Sequence, residues 1–317
     1  MGTEAIHPDV EETCAAIESM EIRGAATIAD ATARALRTQA VEGDADAPDA
    51  FREAMYEAAR RLEATRPTAV SLPNALRSVL SEMGGETVAE LRESVVAGVE
   101  SFRADLETAR DDLGTVGANR LSDGDAVMTH CHSTAVMACI ETAVDQGKEL
   151  SAVVKETRPL KQGHITAKAL SDLGVSVTLV VDGAARQYLN DVDHVLVGAD
   201  SVAADGSVVN KIGTSGLAVN ARDRDTPVVV AAGTIKLHPG TLTGETVPIE
   251  HRDESEVIDA ETRAELGDVD VANPAFDVTP PRYVDAVVTE RGQFPPQGVV
   301  GLMRELFGEG VEPVWKA

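Results

Sequence analysis

The chain has 317 residues, an apolar fraction of 43% and a formal net charge of −25. That is enough apolar chain for a large core, while so acidic a surface excludes broad nucleic-acid binding, which needs Lys and Arg clustered on phosphates. No apolar run has the length of a membrane span, three cysteines without a CxxC pair give neither a disulfide framework nor a structural zinc site, and the acid excess fits a high-salt cytoplasm that screens like charges.

The opening segment MGTEAIHPDVEE is acidic and carries neither the basic nor the apolar region of a signal peptide, which places the protein in the cytoplasm. Residues 1 to about 112 then read as helical. Ile28, Thr32, Ala35 and Leu36 recur at helical spacing, and Phe51, Met55, Ala58, Ala59 and Leu62 share one face of a second helix. An Asp- and Ala-rich loop over 43–48 separates the two. A third helix is predicted over 86–113, stopped by Gly114 and long enough to bridge two units. Arg23 beside Gly24, and Arg66 before Pro67, stand at breaks in this part. The expectation is a helical N-terminal domain over residues 1–114.

From Ala126 the pattern changes to short apolar runs at 126–130, 151–156, 177–182, 194–200, 227–233 and 285–290. Helical segments fall between them at 133–146, 163–173, 183–189 and 213–221, with a last one at 298–307. This alternation predicts an α/β domain over residues 115–317, built on a doubly wound parallel sheet. The stretch 238–281 is polar and holds several prolines, so a long surface excursion is expected there.

Five of the strands end in polar residues: His130-Cys131-His132-Ser133, Glu156-Thr157-Arg158, Asp182, Asp200 and Glu290. Aligned parallel strands bring such ends into one crevice. The segment 195–214, VLVGADSVAADGSVVNKIGT, reads as a strand ending on Asp200, a turn at Asp205-Gly206, and Asn210-Lys211 entering a helix where an anion would sit. Cys131 follows a strand at the start of a helix, where the dipole favours thiolate, whereas Cys139 inside that helix reads as buried and inert. His130 and His132 lack the fourth ligand and the spacing of a structural zinc site, so no metal is expected. Arg158 and Gln162 lie in a loop fixed by Pro159, ahead of a helix opening at Gly163, and fit an anion site. Lys236 is a further cation near a strand end. The absence of GxGxxG, GxxxxGK[ST] and GxSxG removes most support for dinucleotide, P-loop and hydrolase readings, and no cofactor is expected. An acid, a thiol and several phosphate-sized cation sites remain, a set suited to proton transfer on a phosphorylated small molecule.

RGAATIAD, TRPTAVSLPNAL, THCHSTAV, VKETRPLKQG, VGADSVAADGSVVNKIGT and NPAFDVTPPRYVDAVVTERG, in that order, resemble the superfamily of initiation factor 2B regulatory subunits and related sugar-phosphate isomerases. The resemblance implies a helical N-terminal domain followed by a Rossmann-like domain. Within the superfamily the motifs are most similar to archaeal isomerases that convert ribose 1,5-bisphosphate to ribulose 1,5-bisphosphate in nucleoside or nucleotide degradation. It also implies a catalytic pair at Cys131 and Asp200, and sugar-phosphate contacts at Arg23, Gly24, Arg66, Ser133, Arg158, Gln162, Asn210, Lys211 and Lys236. Relatives of this kind are dimers or hexamers of dimers, so a homo-oligomer with a sugar bisphosphate as its small-molecule partner is expected. Two other readings stay open: a regulatory subunit, whose kind loses the cysteine and replaces the aspartate, and a 5-methylthioribose-1-phosphate isomerase. THCHSTAV and Arg66 in TRPTAVS favour the bisphosphate over the latter.

Overall fold

Two apolar cores form, one in each of two compact units of the computed structural model, which describes residues 6–66, 68–308 and 313–316. The first unit comprises Met1–Ala109, Ile235–Gly240 and Arg304–Ala317, the second Arg110–Thr234 and Thr241–Met303. The chain therefore returns to the first unit twice, where the sequence suggested a single cut after residue 114.

The first unit is built on α1 (Pro8–Glu18), α2 (Ala25–Glu42), α3 (Pro48–Thr65), α4 (Ser71–Leu80) and most of α5 (Val88–Ala118). The predicted apolar faces meet in its core, where Ile28, Leu36, Phe51, Met55 and Leu62 pack with Leu72 and Leu76 of α4 and with Trp315. Helix α4 was not legible because two prolines bracket its start. Pro73 is accommodated in the first turn, where backbone N–H groups have no intrahelical acceptor to lose. Buried Asn74 then donates to the carbonyls of Ile235 (2.9 Å) and Leu237 (2.7 Å), fixing the returning segment.

Gly114 does not stop α5, which runs on to Ala118. A Cβ at Gly114 would lie 2.7 Å from Thr142 Oγ1, and one at Gly117 would lie 2.1 Å from Cys139 Sγ. Both glycines thus serve close helix packing rather than termination. The division between units falls inside α5, after Ala109.

In chain order the strands are β1 (Ala126–His130), β2 (Ser151–Lys155), β3 (Ser176–Val180), β4 (His194–Val197), β5 (Ser201–Ala203), β6 (Val208–Lys211), β7 (Val228–Ala231), β8 (Leu237–His238, in the first unit), β9 (Phe276–Thr279), β10 (Ala286–Thr289) and β11 (Gly292–Phe294). The remaining helices are α6 (Thr134–Asp145), α7 (Gly163–Asp172), α8 (Ala185–Tyr188), α9 (Thr214–Asp223), α10 (Ala260–Leu266) and α11 (Val299–Phe307). Seven strands form the main sheet in the order β11-β10-β7-β4-β1-β2-β3, parallel except for β11. Strands β7 and β10 are buried along their whole length, as parallel strands covered on both faces must be. Val127, Val154, Leu196, Val229 and Val288 pack there against Met137, Cys139 and Ile140 of α6. The α/β class with a helical N-terminal region is the one expected.

Three local expectations change. The segment 195–214 is not strand, turn and helix: β4 stops at Val197, and β5 and β6 form an antiparallel hairpin to which β9 adds on the far side of β6. Asn210 and Lys211 therefore end a strand, and α9 opens only at Thr214, after left-handed Gly213 (φ 98°). The stretch 238–281 is no bare excursion, because it contains α10 and β9; its prolines and acids masked both. The helix expected over 183–189 is broken into the four-residue α8 between 3-10 turns at Asp182–Ala184 and Leu189–Asp191.

Candidate active site

From β1 the chain moves outward to β2 and β3, then returns so that β4 pairs with the other side of β1. Connections leave β1 and β4 in opposite directions, and the crevice beyond their carboxyl ends is where such sheets bind ligands. The register Val127↔His194 and Met128↔Val195, continued past the strands, sets Cys131 opposite Gly198. A Cβ on Gly198 would stand 2.4 Å from Ser133 Oγ, so glycine is what lets the edge of β4 reach the start of α6. Ser133 caps that helix by accepting from the Val136 N–H at 3.4 Å. Asp200, just beyond Gly198, donates its N–H to the Val209 carbonyl (2.8 Å), which ties it to the β5–β6 hairpin.

Beneath Cys131 lies a buried polar network. His130 is 1% exposed, and its Nε2 sits 2.8 Å from the Ile212 carbonyl. A carbonyl only accepts, so Nε2 carries the proton and unprotonated Nδ1 lies 3.2 Å from the Thr157 hydroxyl, whose one proton it shares with the Lys155 carbonyl at 3.1 Å. Burial, reinforced by the Lys155 ammonium, pushes His130 down from 6.5 to about 4, so the ring is neutral. Asp182 accepts from the N–H groups of Thr157 (3.0 Å) and Arg158 (2.7 Å) and lies 3.9 Å from both His130 Nδ1 and Lys155 Nζ. Lys155 is buried and donates to the Gly213 carbonyl at 3.2 Å; burial lowers its pKa against the pull of Asp182 and Asp277. Asp277 accepts from the N–H groups of Gly213 (2.7 Å) and Ser215 (3.1 Å), while burial raises its pKa against those bonds. These groups couple the loops after β1, β2 and β6.

Arg158 is exposed, with its guanidinium donating to the Val257 carbonyl at 3.1 Å. Gln162 is the N-cap residue of α7, and its Oε1 is buried without a hydrogen-bond partner among the described residues. Gln162 and Lys211 line one small pocket together with Arg252 and Asn273. The Lys211 ammonium stands 4.8 Å from the centre of the Phe276 ring, and buried Asn210 donates to Thr214 Oγ1 at 3.0 Å. Cys131, Ser133, Arg158, Gln162, Asp200, Asn210 and Lys211 thus all belong to the second unit, on segments that follow or join its strands. Arg23, Gly24, Arg66 and Lys236 belong to the first unit, at the N-terminus of α2, the C-terminus of α3 and the 3-10 turn Thr234–Lys236.

Of the other polar residues marked in the sequence, Glu290 accepts from the Thr234 N–H and hydroxyl, a turn-capping role. The His132 Nδ1 lies 3.0 Å from Thr166 Oγ1. Lys155 and Asp277 escape sequence reading, and Thr157 and Asp182 are marked there only as strand ends. Lys155 had left a signal, as the one charge within the apolar strand SAVVK. A thiol just after β1 and a carboxylate just after β4, at the carboxyl ends of adjacent parallel strands, can move protons on an anionic substrate.

The model of the Initiation factor 2 subunit family matches residues 21–296. A ribose 1,5-bisphosphate isomerase of Haloferax volcanii is 68% identical over 310 residues, which are 98% of this chain and 96% of that one. Among solved structures, translation initiation factor eIF-2B of Pyrococcus horikoshii OT3 matches with a TM-score of 0.77 at 29% identity, covering 93% of this chain and 99% of that one. 5-Methylthioribose 1-phosphate isomerase from the same organism matches with a TM-score of 0.75 at 32% identity, covering 95% of this chain and 88% of that one.

Proposed function

The chain belongs to the Initiation factor 2 subunit family, and from that premise we infer that it is an aldose-ketose isomerase converting ribose 1,5-bisphosphate to ribulose 1,5-bisphosphate. What supports this reading is that Cys131 directly follows β1 and Asp200 follows β4, the adjacent parallel strands at the switch point. A purely regulatory subunit needs neither group. The bisphosphate is preferred to methylthioribose phosphate because near full-length identity to the Haloferax volcanii isomerase is twice that to the methylthioribose enzyme.

Asp200 protonates the ring oxygen as its bond to C1 breaks. A proton then leaves C2 and one arrives at C1, with Cys131 as the exchanging group, while the C2 hydroxyl returns its proton to Asp200, so that C2 becomes the ketone and C1 keeps its phosphate as a CH2 ester. Lys211 opposes the charge of the enolate-like intermediate, and a sugar hydroxyl donates to the buried Gln162 Oε1. Asn210 acts through Thr214 rather than as a free amide. Ser133 and Arg158 are assigned to the same substrate. Arg23, Gly24, Arg66 and Lys236 are proposed as further sugar-phosphate contacts on the resemblance alone. A homo-oligomer in a high-salt cytoplasm is proposed on the same ground and on the net charge of −25.

Phosphorus NMR in high salt, with ribose 1,5-bisphosphate and then methylthioribose 1-phosphate, tests the reading. Conversion of the first is expected. Turnover of the second alone would replace the substrate, and turnover of neither would favour the regulatory role. Asp200→Asn should lower kcat by about a hundredfold or more. In D2O, solvent deuterium should enter C1; complete retention of the substrate hydrogen would instead require a hydride shift from C2.

A further inference from the structure

Cys131 and Thr157 both adopt left-handed backbone, with φ of 68° and 64°. For a β-branched residue such as Thr157 this conformation is strained, and strain persists only where the surroundings enforce it. The enforcement is visible. The Thr157 N–H donates to Asp182 Oδ1 at 3.0 Å, and its carbonyl accepts from the Lys161 N–H at 2.8 Å. Its hydroxyl, fully buried, accepts the N–H of Cys131 at 2.8 Å while its own proton faces the Lys155 carbonyl at 3.1 Å and His130 Nδ1 at 3.2 Å. The other end of Cys131 is held in the same manner, because Thr166 Oγ1, 1% exposed, donates to the Cys131 carbonyl at 2.8 Å. Two hydroxyls carried by two different elements therefore grip the peptide groups on either side of one left-handed residue.

We propose that Thr157 and Thr166 are positioning residues: a two-threonine clamp that holds the Cys131 backbone left-handed and so aims its thiol at the substrate carbons. The inference rests on the assignment of Cys131 to proton exchange. His130 belongs to the clamp as its spacer. Its Nε2–H is anchored on the Ile212 carbonyl, so the ring sets the height of the Thr157 hydroxyl and links it to the loop after β6. Neither threonine need touch the sugar. Loss of the clamp lets Cys131 relax toward ordinary backbone, which moves the thiol without removing any substrate contact.

The test compares Thr157→Val and Thr166→Val, which keep shape and remove the hydroxyl, with Thr157→Ser, which keeps the hydroxyl. The valine variants are expected to lose kcat by about 10- to 100-fold with KM nearly unchanged, and the serine variant to stay near wild type. Alkylation by iodoacetamide at neutral pH supplies a readout independent of turnover. Burial leaves Cys14 and Cys139 0% exposed and pushes their thiols up to about 11 and about 12, so the label reports Cys131. Its rate should change about threefold or more in the valine variants and recover in Thr157→Ser. Unchanged kcat and unchanged alkylation in Thr166→Val and Thr157→Val would overturn the clamp. Should Thr157→Val not fold, Thr166→Val with Thr157→Ser decides by the same criteria. Full activity of Cys131→Ser would instead remove the catalytic reading while the alkylation rates still judge the clamp.

Discussion

Cys131 and Cys139 lie on the same β1–α6 passage, and their surroundings differ in kind. Around Cys139 the protein is volume: the side chain is 0% exposed, faces Gly117 and the Leu113 carbonyl at 3.9 Å, and burial pushes the thiol up to about 12. Around Cys131 it is polarity: a half-buried residue with left-handed backbone, gripped by hydroxyls above buried His130 and Lys155 and half-buried Asp182. A close-packed apolar face silences a thiol, whereas a satisfied polar floor holds one in a defined place. The second arrangement carries buried groups that cost free energy and contribute little to packing, which is the physical ground for proposing the chemistry at this end of the sheet.

Removing each sulfur is the hardest test of that contrast. Cys131→Ala should lower kcat by about a thousandfold with modest change in stability, whereas Cys139→Ala should leave kcat within about twofold and cost roughly 1–2 kcal/mol in urea unfolding. Equal losses of turnover in both variants would erase the distinction.

The polar floor should also show in the pH dependence of stability. The unfolded imidazole of His130 titrates near 6.5, the folded one at about 4. Between those values the unfolded chain binds more protons, so stability is complete above about pH 6.5 and falls as the pH drops toward 4, by at most about 3 kcal/mol from this group. Burial lowers the pKa of His132 and His238 as well, and both act with the same sign. Urea midpoints at pH 7.5 and 4.5 measure the slope, and His130→Gln should flatten it. An unaltered slope in that variant would mean that the ring is not held neutral by its surroundings.

The apolar side of the molecule was largely legible in the sequence and the polar floor was not. Strand β1 was read at its observed limits, and the faces of α2 and α3 were read correctly, because apolar periodicity reports burial directly. Cys131, Ser133, Asp200 and the loop of Arg158 and Gln162 could be placed at strand ends by the same logic. The bonds of Thr157, and Lys155 and Asp277 altogether, could not, since their partners lie on other loops and nothing local separates a buried ammonium from an exposed one. The hairpin of β5 and β6 was missed for a related reason: its third strand, β9, arrives from 276–279, too far along the chain for any local pattern to announce.

Gly114 shows the converse error, a local rule overridden by packing, and its neighbour Gly117 gives the mildest test. At Gly117 alanine would gain helix propensity worth about 1 kcal/mol, yet its Cβ would stand 2.1 Å from Cys139 Sγ and 2.9 Å from Cys139 Cβ. Neither atom is the end of a flexible chain, so helices α5 and α6 must separate, and overpacking of this kind costs about 1–3 kcal/mol. Gly117→Ala should therefore lower stability by roughly 1 kcal/mol net while kcat stays unchanged, because nothing in the polar floor touches Gly117. Cys139→Ala removes the sulfur and should restore part of the loss. A double-mutant cycle on the pair should thus give a coupling of about 0.5 kcal/mol or more, favouring the double variant. Additive effects would mean that the two helices do not meet at these residues, and a fall in kcat would mean that the volume around Cys139 and the clamp around Cys131 are one mechanical unit rather than two.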